Sequence, residues 1–299
     1  MTPLHIVHTE ASLGWGGQEI RILTESAGMI ARGHRVTLLC PPQARLFEEA
    51  GLRNIPVVAL PIGDKSIGGV LALRRWLKQH RADVVNTHSS TDSWLAALAR
   101  ATLPFPPPLV RTRHISAPIP NNLATRWMYL KATQHVVTTG EKLRRQLMTD
   151  NAYPPSHITS VPTGIDTSRF APGDPQRARQ ALNLPAGATI IGIVATLRSW
   201  KGHHYLLEAF SRLRGDDLQL LIVGDGPQCQ AIEQRIGELG LSGRATLAGN
   251  QRDVAPWLQA MDIFVLPSYA NEGVPQAILQ AGASALPVIS TPVGSITEV

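Results

Sequence analysis

The fold is decided by the last stretch of the chain, Asp262–Val299, which reads DIFVLPSYANEGVPQAILQAGASALPVISTPVGSITEV. The unbroken apolar run Ile263–Leu266 predicts a buried strand, and Pro287–Ser290 predicts a second strand further on. Between the two strands, a polar turn is followed by Pro275 and small residues, which are signals of a helix start. The stretch therefore predicts strand, loop, helix and strand, the repeating unit of α/β proteins.

The same alternation of short apolar runs and helix-length segments continues through nearly the whole chain. We predict strands at Leu4–Thr9, Arg35–Cys40, Val57–Leu60, Asp83–Thr87, Leu109–Arg113, His135–Thr138, Ile158–Val161, Thr189–Ala195, Leu218–Val223, Ala245–Leu247, Ile263–Leu266 and Val288–Ser290. Helical segments between them include Gly17–Arg32, Gly69–His80, Thr91–Ala101, Glu141–Asp150 and His203–Leu213. Because the strands are apolar with little alternation, we expect parallel sheets covered on both faces, in the α/β class.

A boundary between two domains is predicted where turn residues concentrate. Residues 161–175 read VPTGIDTSRFAPGDP and separate two series of strands and helices. A chain of 299 residues with 43% hydrophobic residues can bury the cores of two domains. We therefore predict one domain over residues 1–165 and a second over residues 166–299.

Composition limits the partners and the compartment. The net charge of +6 favours acidic partners such as nucleotide diphosphates and anionic lipids. Aromatic residues make up only 5% of the chain, and no zinc spacing or RNA-binding signature occurs, so we expect no nucleic-acid partner. The two cysteines, Cys40 and Cys229, lie in different predicted domains, which indicates a reducing, cytoplasmic environment. The sequence has no secretory signal at its start and no apolar run long enough to span a bilayer.

A carboxylate beside glycine at the mouth of the last predicted helix indicates a ligand site. Glu272, Gly273 and Val274 would bring backbone N–H groups and the positive helix end next to a hydrogen-bonding acid. This arrangement suits a phosphorylated ligand that carries hydroxyl groups. Gln280 follows Glu272 by eight positions, about two helical turns, so both side chains would face one ligand. The alternative is that Glu272 is a surface acid and Gln280 a solvated helix residue.

Two further loops, each between a strand and a helix, carry candidate ligand-binding residues. Gly16 and Gly17 would let backbone approach a ligand at a helix N-terminus, although a bare glycine turn explains them equally well. Arg198 and Lys201 would bind an anionic group such as a phosphate, although surface cations are usually only solvated.

Four histidines need to be separated. His88 and His114 each follow a strand of the first domain, where ligands bind in parallel sheets, although a lone histidine is more often structural. His203 and His204 begin a helix and are predicted to lie on the surface.

Taken together, these motifs resemble the retaining glycosyltransferases of family four, whose fingerprint is a glutamate, seven residues and a second glutamate. The sequence departs from this fingerprint because the second position is Gln280. The resemblance implies a GT-B fold, in which two Rossmann-like domains with parallel sheets face a central cleft. It also implies that residues 1–165 bind the acceptor and residues 166–299 bind a nucleotide-sugar donor.

The resemblance also implies a role for each matching residue. His114 would contact the transferred sugar, Lys201 the diphosphate, and Glu272 the hydroxyls of the donor sugar, so these three are the catalytic candidates. The family more often places its arginine where Thr196 stands, which leaves the part of Arg198 open. The donor-binding candidates are Gly16, Gly17, Arg198, Lys201, Gly273, Val274 and Gln280, the last of which would hold the ribose. Further candidates are His88, Gly224 in a GDGP turn at the nucleotide pocket, and Arg252 where the family cradles the base.

The expected reaction moves a sugar from a nucleotide-sugar to a glycan or lipid-linked acceptor, as in bacterial lipopolysaccharide or surface polysaccharide synthesis. No Asp-x-Asp pair and no metal-ligand spacing occurs, so we expect neither a metal nor another cofactor. A retaining mechanism on one face of the sugar would need no strong protein base. Two alternatives stay open, which are a nucleotide-sugar epimerase on the same fold and a sugar-nucleotide binding module without activity.

Two expectations concern the membrane and the end of the chain. Arg74–Lys78 and Arg126–Lys131 combine cations with aromatic residues, which predicts peripheral contact with the inner face of the cytoplasmic membrane. The alternative is a pair of helices whose cations merely extend into water. The family resemblance also implies a closing strand and helix beyond Val299, so we expect a chain that is incomplete at its C-terminus.

Overall fold

Twelve parallel strands form two separate sheets in the computed structural model, which describes residues 2–215 and 217–299. The strands are β1 His5–Thr9, β2 Arg35–Cys40, β3 Val57–Ala59, β4 Val84–Thr87, β5 Leu109–Arg113, β6 His135–Thr138, β7 Ile158–Ser160, β8 Thr189–Val194, β9 Leu218–Val223, β10 Ala245–Leu247, β11 Ile263–Leu266 and β12 Val288–Ser290. Each of them lies within a predicted strand, so the α/β class with parallel sheets is confirmed.

Helices connect these strands in the described residues. They are α1 Gly17–Ala31, α2 Arg45–Leu52, α3 Ile67–Gln79, α4 Ser90–Ala101, α5 Leu123–Trp127, α6 Glu141–Asp150, α7 Pro175–Ala181, α8 His203–Ser211, α9 Cys229–Glu238, α10 Ala255–Gln259 and α11 Gln276–Ala283. Helix α5 continues as a π-helical turn over Met128–Ala132. The chain divides into a first unit that ends at Pro162 and a second unit, Thr163–Val299.

The sheet of the first unit has the strand order β3-β2-β1-β4-β5-β6-β7. The order reverses between β1 and β4, because β2 and β3 are added on one side of β1 and the later strands on the other. At such a switch point the loops after the two central strands turn to opposite faces of the sheet and leave a crevice at its carboxyl edge. The loops after β1 and β4 therefore border the natural ligand position of this unit.

Both faces of the first sheet are buried in apolar clusters. Neighbouring residues of one strand belong to different clusters, because successive side chains of a strand point to opposite faces. Ile6 packs with Ile22 on one face, whereas Val7 packs with Leu73 and Trp76 on the other. This two-sided burial explains why the strands are apolar without alternation.

The second unit repeats the same plan with five strands in the order β10-β9-β8-β11-β12. Its switch point lies between β8 and β11, which pair directly through Ile263 and Ile191. One continuous apolar cluster surrounds this sheet and includes the fully buried Phe210 and Phe264. The loops after β8 and β11 therefore border the ligand position of the second unit.

Two details of the sequence analysis are wrong. Helix α11 begins at Gln276, so Glu272 lies in the loop before the helix and the argument from two helical turns does not apply. Pro275 is the N-cap of this helix, which agrees with its use as a helix-start signal. His203 is only 3% exposed, not a surface residue, because it packs inward in the first turn of α8, whereas His204 is exposed.

Candidate functional site

A mostly buried ion pair joins the two loops at the switch point of the second unit. Nζ of Lys201 donates a hydrogen bond to Oε1 of Glu272 over 2.6 Å. The two side chains are 19% and 6% exposed, respectively. Because an unpaired buried charge is costly, this contact holds both side chains in one geometry. The structure thus brings together two residues that are 71 positions apart in the sequence.

Backbone contacts hold these two loops against each other. The N–H of Tyr269, in the loop after β11, donates to the carbonyl oxygen of Trp200 over 2.9 Å. Gly202 follows Lys201 with a φ of 77°, and a side chain there would overlap the carbonyl oxygen of Pro267. Glycine is therefore required where the loop turns into α8, and it sets the position of Lys201.

The turn after β9 packs against the loop after β8. Gly224 has a φ of 147°, and a Cβ atom there would overlap the carbonyl oxygen of Ala195. The N–H of Leu197 donates to the carbonyl oxygen of Asp225 over 3.0 Å. Because Gly224 has no side chain, the turn after β9 can pack closely against the loop that carries Lys201.

The remaining donor-binding candidates around Glu272 are buried. Gly273 and Val274 connect Glu272 to the start of α11 and are both buried. Gln280 lies within α11 and is 8% exposed. Gly273 and Val274 thus lie in the same loop as Glu272, whereas Gln280 lies in the helix that follows this loop.

Two other candidates of the second unit, Arg198 and Arg252, have different surroundings. Arg198 lies over the ring of Trp200 and lines a cavity of about 280 Å³ together with His203, and neither Lys201 nor Glu272 lines that cavity. Burial lowers the pKa of His203 to about 4, and the positive charge of the nearby Lys201 contributes to this shift. Arg252 is exposed and follows β10, an edge strand on the far side of β9 from the switch point.

In the first unit, three histidines form a continuous chain of hydrogen bonds across the switch point. Nδ1 of His8 lies 2.8 Å from Nε2 of His88, and Nδ1 of His88 lies 2.9 Å from Nε2 of His114. His8 is in β1, His88 follows β4 and His114 follows β5, so three adjacent strands supply the chain. The structure therefore joins the candidates His88 and His114 and adds His8.

All three imidazoles are held neutral. Burial lowers the pKa of His8 to about 4. Burial, with added repulsion from Arg21 and Arg111, lowers the pKa of His114 to about 3. Burial also lowers the pKa of His88, and its two histidine neighbours add to this effect. At neutral pH each ring of the chain therefore carries one proton.

Two buried carboxyl groups flank the histidine chain. Asp92 caps α4 and accepts hydrogen bonds from the hydroxyl of Thr9 over 2.6 Å and from the N–H of His88 over 2.9 Å. Glu10 accepts from the N–H of Ser12 over 2.7 Å and from the amide of Gln18. Burial, reinforced by the nearby carboxylates, raises the pKa of Glu10 to about 8.

The loop between β1 and α1 is shaped by Glu10. Because its two carboxyl oxygens bind Ser12 and Gln18, Glu10 bridges the two ends of the loop. Gly16 between them is the N-cap of α1, and the exposed Gly17 is the first residue of this helix. The helix N-terminus expected at these two glycines is present at the switch point.

His8, Glu10 and Asp92 were missed in the sequence analysis. The signal for His8 and Glu10 was the placement of polar residues at the end of an apolar strand or just after it, and the signal for Asp92 was an acid three residues after the N-cap Ser89. That signal gains meaning only when β1 and β4 are known to be neighbours, since His8 and His88 are 80 positions apart.

The apolar residues of the two basic segments are mostly buried. Trp76 and Leu77 are each 7% exposed, and Met128 and Tyr129 are 2% and 1% exposed. These residues pack in the core of the first unit, as the alternative interpretation required. None of the helices within residues 2–215 and 217–299 has both the length and the apolar composition that crossing a membrane requires.

The described part of the chain contains no group of three histidine, cysteine or carboxylate side chains placed to hold a metal ion.

Comparison with known proteins identifies the family over both units. Residues 15–169 match Glycosyltransferase Family 4, and residues 188–299 match Glycosyl transferases group 1. The chain is 32% identical to EpsF of Bacillus subtilis strain 168 over 182 residues, which cover 59% of this chain and 46% of EpsF. It is 26% identical to D-inositol 3-phosphate glycosyltransferase of Mycobacterium tuberculosis strain F11, covering 94% of this chain and 65% of that protein. The chain thus spans less than two thirds of the length of these relatives.

A solved structure shows the same fold. Anabaena HepE, crystallised in complex with UDP-glucose, has a TM-score of 0.84 to this chain at 20% identity, covering 99% of this chain and 82% of HepE. The fold is therefore of the GT-B type. Because the first match alone extends over more than half of the 299 residues, the family is established. The chain belongs to glycosyltransferase family 4.

Proposed function

We propose that this protein transfers a sugar from a nucleotide-sugar donor and that the second unit holds the donor. The observation that carries the proposal is the 2.6 Å ion pair between Lys201 and Glu272 at the switch point between β8 and β11. Ligands of parallel sheets bind at such points, and the pair offers both a cation and a hydrogen-bonding carboxylate there. The first unit would then bind the acceptor.

The chemistry of the pair fits a diphosphate joined to a sugar. The ammonium group of Lys201 has three N–H donors, of which Glu272 takes one, so two are left for diphosphate oxygens. The second carboxylate oxygen of Glu272 can accept from a sugar hydroxyl. Helix α8 begins two residues after Lys201, and its N-terminus adds positive potential at the site. These groups would stabilise the charge that develops on the leaving diphosphate.

Retention of configuration and independence of metal ions are part of the proposal. The acceptor hydroxyl would attack the anomeric carbon on the face from which the diphosphate leaves. The C–O bond to the diphosphate breaks, and the departing phosphate oxygen takes the proton of the hydroxyl. Lys201 supplies the positive charge in this scheme, so neither a metal ion nor a strong protein base is needed. Arg198, which precedes Lys201 by three positions in the same loop, would add a second positive charge for the diphosphate.

The remaining site residues would serve donor and sugar binding. Gln280 would bond to the ribose and Gly224 would shape the nucleotide pocket, as the family resemblance implies. Gly16 and Gly17 would approach the diphosphate through the N-terminus of α1, and His114 would bond to the transferred sugar. The complex of HepE with UDP-glucose supports a uridine nucleotide as the first donor to try.

The proposal is tested by substituting the two members of the ion pair. We expect Lys201→Ala and Glu272→Ala each to reduce kcat by about a hundredfold or more, the usual effect of removing one group that stabilises a transition state. Arg212→Ala is the matched control, because Arg212 is an exposed cation at the end of α8. Turnover close to that of the control in both variants would refute the proposal.

Product analysis separates the alternatives. Release of the nucleoside diphosphate together with a glycosylated acceptor indicates transfer. Conversion of the donor sugar without an acceptor would indicate an epimerase. Saturable donor binding with no release of diphosphate, across glycan and lipid-linked acceptors, would indicate a binding module.

For the acceptor, we propose a glycan or a lipid-linked sugar presented at the inner face of the cytoplasmic membrane. Helix α3 supports this proposal, because Ile67 and Leu71 are 80% and 57% exposed and are followed by Arg75 and Lys78, which are also exposed. An exposed helix that combines apolar and basic residues suits an anionic membrane surface. We expect the protein to sediment with anionic vesicles, and we expect high salt to reduce the bound fraction. Lys78→Glu should also reduce the bound fraction, whereas Lys142→Glu should not. Absence of salt-sensitive binding would remove the membrane from the account.

A further inference from the structure

Three imidazoles in direct contact form a chain whose protons are not independent. The two contacts are 2.8 Å between His8 and His88 and 2.9 Å between His88 and His114. A neutral imidazole has one N–H donor and one bare nitrogen acceptor. His88 uses both of its ring nitrogens, so it must donate in one contact and accept in the other. The two hydrogen bonds therefore run in the same direction along the chain.

Only two arrangements satisfy this condition. In the first, each ring carries its proton on Nδ1, so that His8 donates to His88 and His88 donates to His114. In the second, each ring carries its proton on Nε2, and both bonds run the opposite way. The first arrangement leaves Nδ1–H of His114 as a free donor, and the second leaves a bare nitrogen there.

The far end of the chain decides between the two. Nε2 of His8 is buried and has no hydrogen-bonding partner among the described residues. Among buried backbone groups, an N–H without a partner is rarer than an acceptor without one, and we apply the same order to the imidazole nitrogen. The arrangement that leaves Nε2 of His8 without a proton is therefore favoured, and it places every proton of the chain on Nδ1.

We infer that His8 is a positioning residue that acts through His88 to fix His114 as a hydrogen-bond donor at Nδ1. In the proposed function, His114 contacts the transferred sugar. The inference rests on that proposal and specifies that His114 is the hydrogen-bond donor in this contact. Nδ1 of His114 donates to an oxygen that can accept, such as a sugar hydroxyl. It cannot take a proton as a general base, because that nitrogen already carries one.

Nuclear magnetic resonance of the full chain tests the inference directly. Long-range ¹H–¹⁵N correlation distinguishes the two tautomers of each imidazole, and the variants His8→Asn, His88→Asn and His114→Asn assign the three rings among the 10 histidines. We expect the Nδ1–H tautomer for all three rings of the wild-type protein at pH 7. The Nε2–H tautomer at His114 would overturn the inference, whatever the catalytic activity.

Substitution of His8 then tests its positioning role. Leucine in His8→Leu cannot donate to His88, so we expect mixed tautomers at His114 and a loss of about tenfold in kcat/KM, the effect of one hydrogen bond. Asparagine in His8→Asn can place an amide N–H near the position of Nδ1, so we expect it to restore the Nδ1–H tautomer and most of the activity. Equal effects of leucine and asparagine on both readouts would contradict the role.

Controls separate this inference from the proposed function and from loss of structure. His135, the first residue of β6, is hydrogen-bonded to Thr159 and takes no part in the chain of three histidines. His135→Leu and His135→Asn should therefore leave the spectrum of His114 unchanged. If no donor sugar is transferred by the wild type, the proposed function fails while the tautomers still decide the inference. If His8→Leu does not fold, the wild-type spectrum and His8→Asn decide it.

Discussion

Gln280 is one of two positions at which this chain departs from the family pattern in the predicted donor site, the other being Thr196. It is 8% exposed within α11, the helix that follows the loop of Glu272. An amide bonds to a ribose hydroxyl more weakly than a carboxylate, because the carboxylate bond is assisted by charge. The resemblance to family four therefore predicts a weaker contact between position 280 and the ribose than in relatives that carry glutamate there.

Restoring the carboxylate should tighten donor binding. We expect Gln280→Glu to bind the nucleoside diphosphate about fivefold more tightly, which corresponds to about 1 kcal/mol for a charged over a neutral hydrogen bond. Isothermal titration with UDP measures the change, and Gln276→Glu at the first position of α11 is the control. Unchanged or weaker binding in Gln280→Glu relative to the control would show that position 280 does not hold the ribose.

Glu10 is the buried acid beside the histidine chain, and its protonation gives the stability a distinctive pH dependence. Burial raises its pKa from an ordinary value of 4.5 to about 8. Between these two values the folded protein binds a proton that the unfolded chain releases. The contribution of Glu10 to the free energy of unfolding should therefore decrease as the pH rises from 4.5 to 8, by at most about 1.4 kcal/mol per pH unit.

The variant Glu10→Gln removes this dependence, because glutamine resembles the protonated acid at every pH. We expect the free energy of unfolding of the variant minus that of wild type to increase from pH 5 to pH 8, because only the wild type loses stability over this range. Urea unfolding of both proteins at the two pH values measures the difference. A relative stability that is the same at pH 5 and pH 8 would mean that Glu10 is already ionised in the folded protein.

At the scale of elements, the switch point of the second unit depends on loops that pack backbone against backbone. Gly202 and Gly224 leave room where the loops after β8, β9 and β11 meet. Neither close approach tolerates a Cβ atom, and both glycines have a positive φ. The position of Lys201 is therefore set by three loops together, so a change in one loop should displace it.

The variant Gly224→Ala tests this dependence. We expect a loss of about 2 kcal/mol or more in stability, since the side chain would overlap the carbonyl oxygen of Ala195 at a φ of 147°. Gly237→Ala is the control, because a side chain there meets nothing within 4 Å in α9, and we expect it to be neutral or to stabilise by about 0.5–1 kcal/mol. Urea unfolding measures both, and equal stability of the two variants would contradict the packing argument.

The strands were predictable from the sequence, but the contacts at the switch points were not. Strand β11 is buried on both faces, so it appears as an unbroken apolar run, and local signals suffice. The contact between Lys201 and Glu272 depends on β8 lying beside β11, which no local pattern encodes. The start of α11 was misjudged for a related reason, because Pro275 fits both an N-cap and a first helical turn.

At the scale of the whole molecule, the two units repeat one plan. In each, the strand order reverses once, and the loops at the reversal carry the polar residues that the sequence places next to apolar strands. The first unit gathers His8, His88 and His114 there, and the second unit gathers Lys201 and Glu272. We interpret the first as the acceptor side and the second as the donor side of a glycosyltransferase.

The position of the diphosphate in a crystal of this protein with a nucleotide-sugar tests the account most directly. We predict a diphosphate oxygen within hydrogen-bonding distance of Nζ of Lys201, about 2.7–3.2 Å, and a sugar hydroxyl bonded to Glu272. A diphosphate bound at another edge of the second sheet, out of reach of both side chains, would contradict the account.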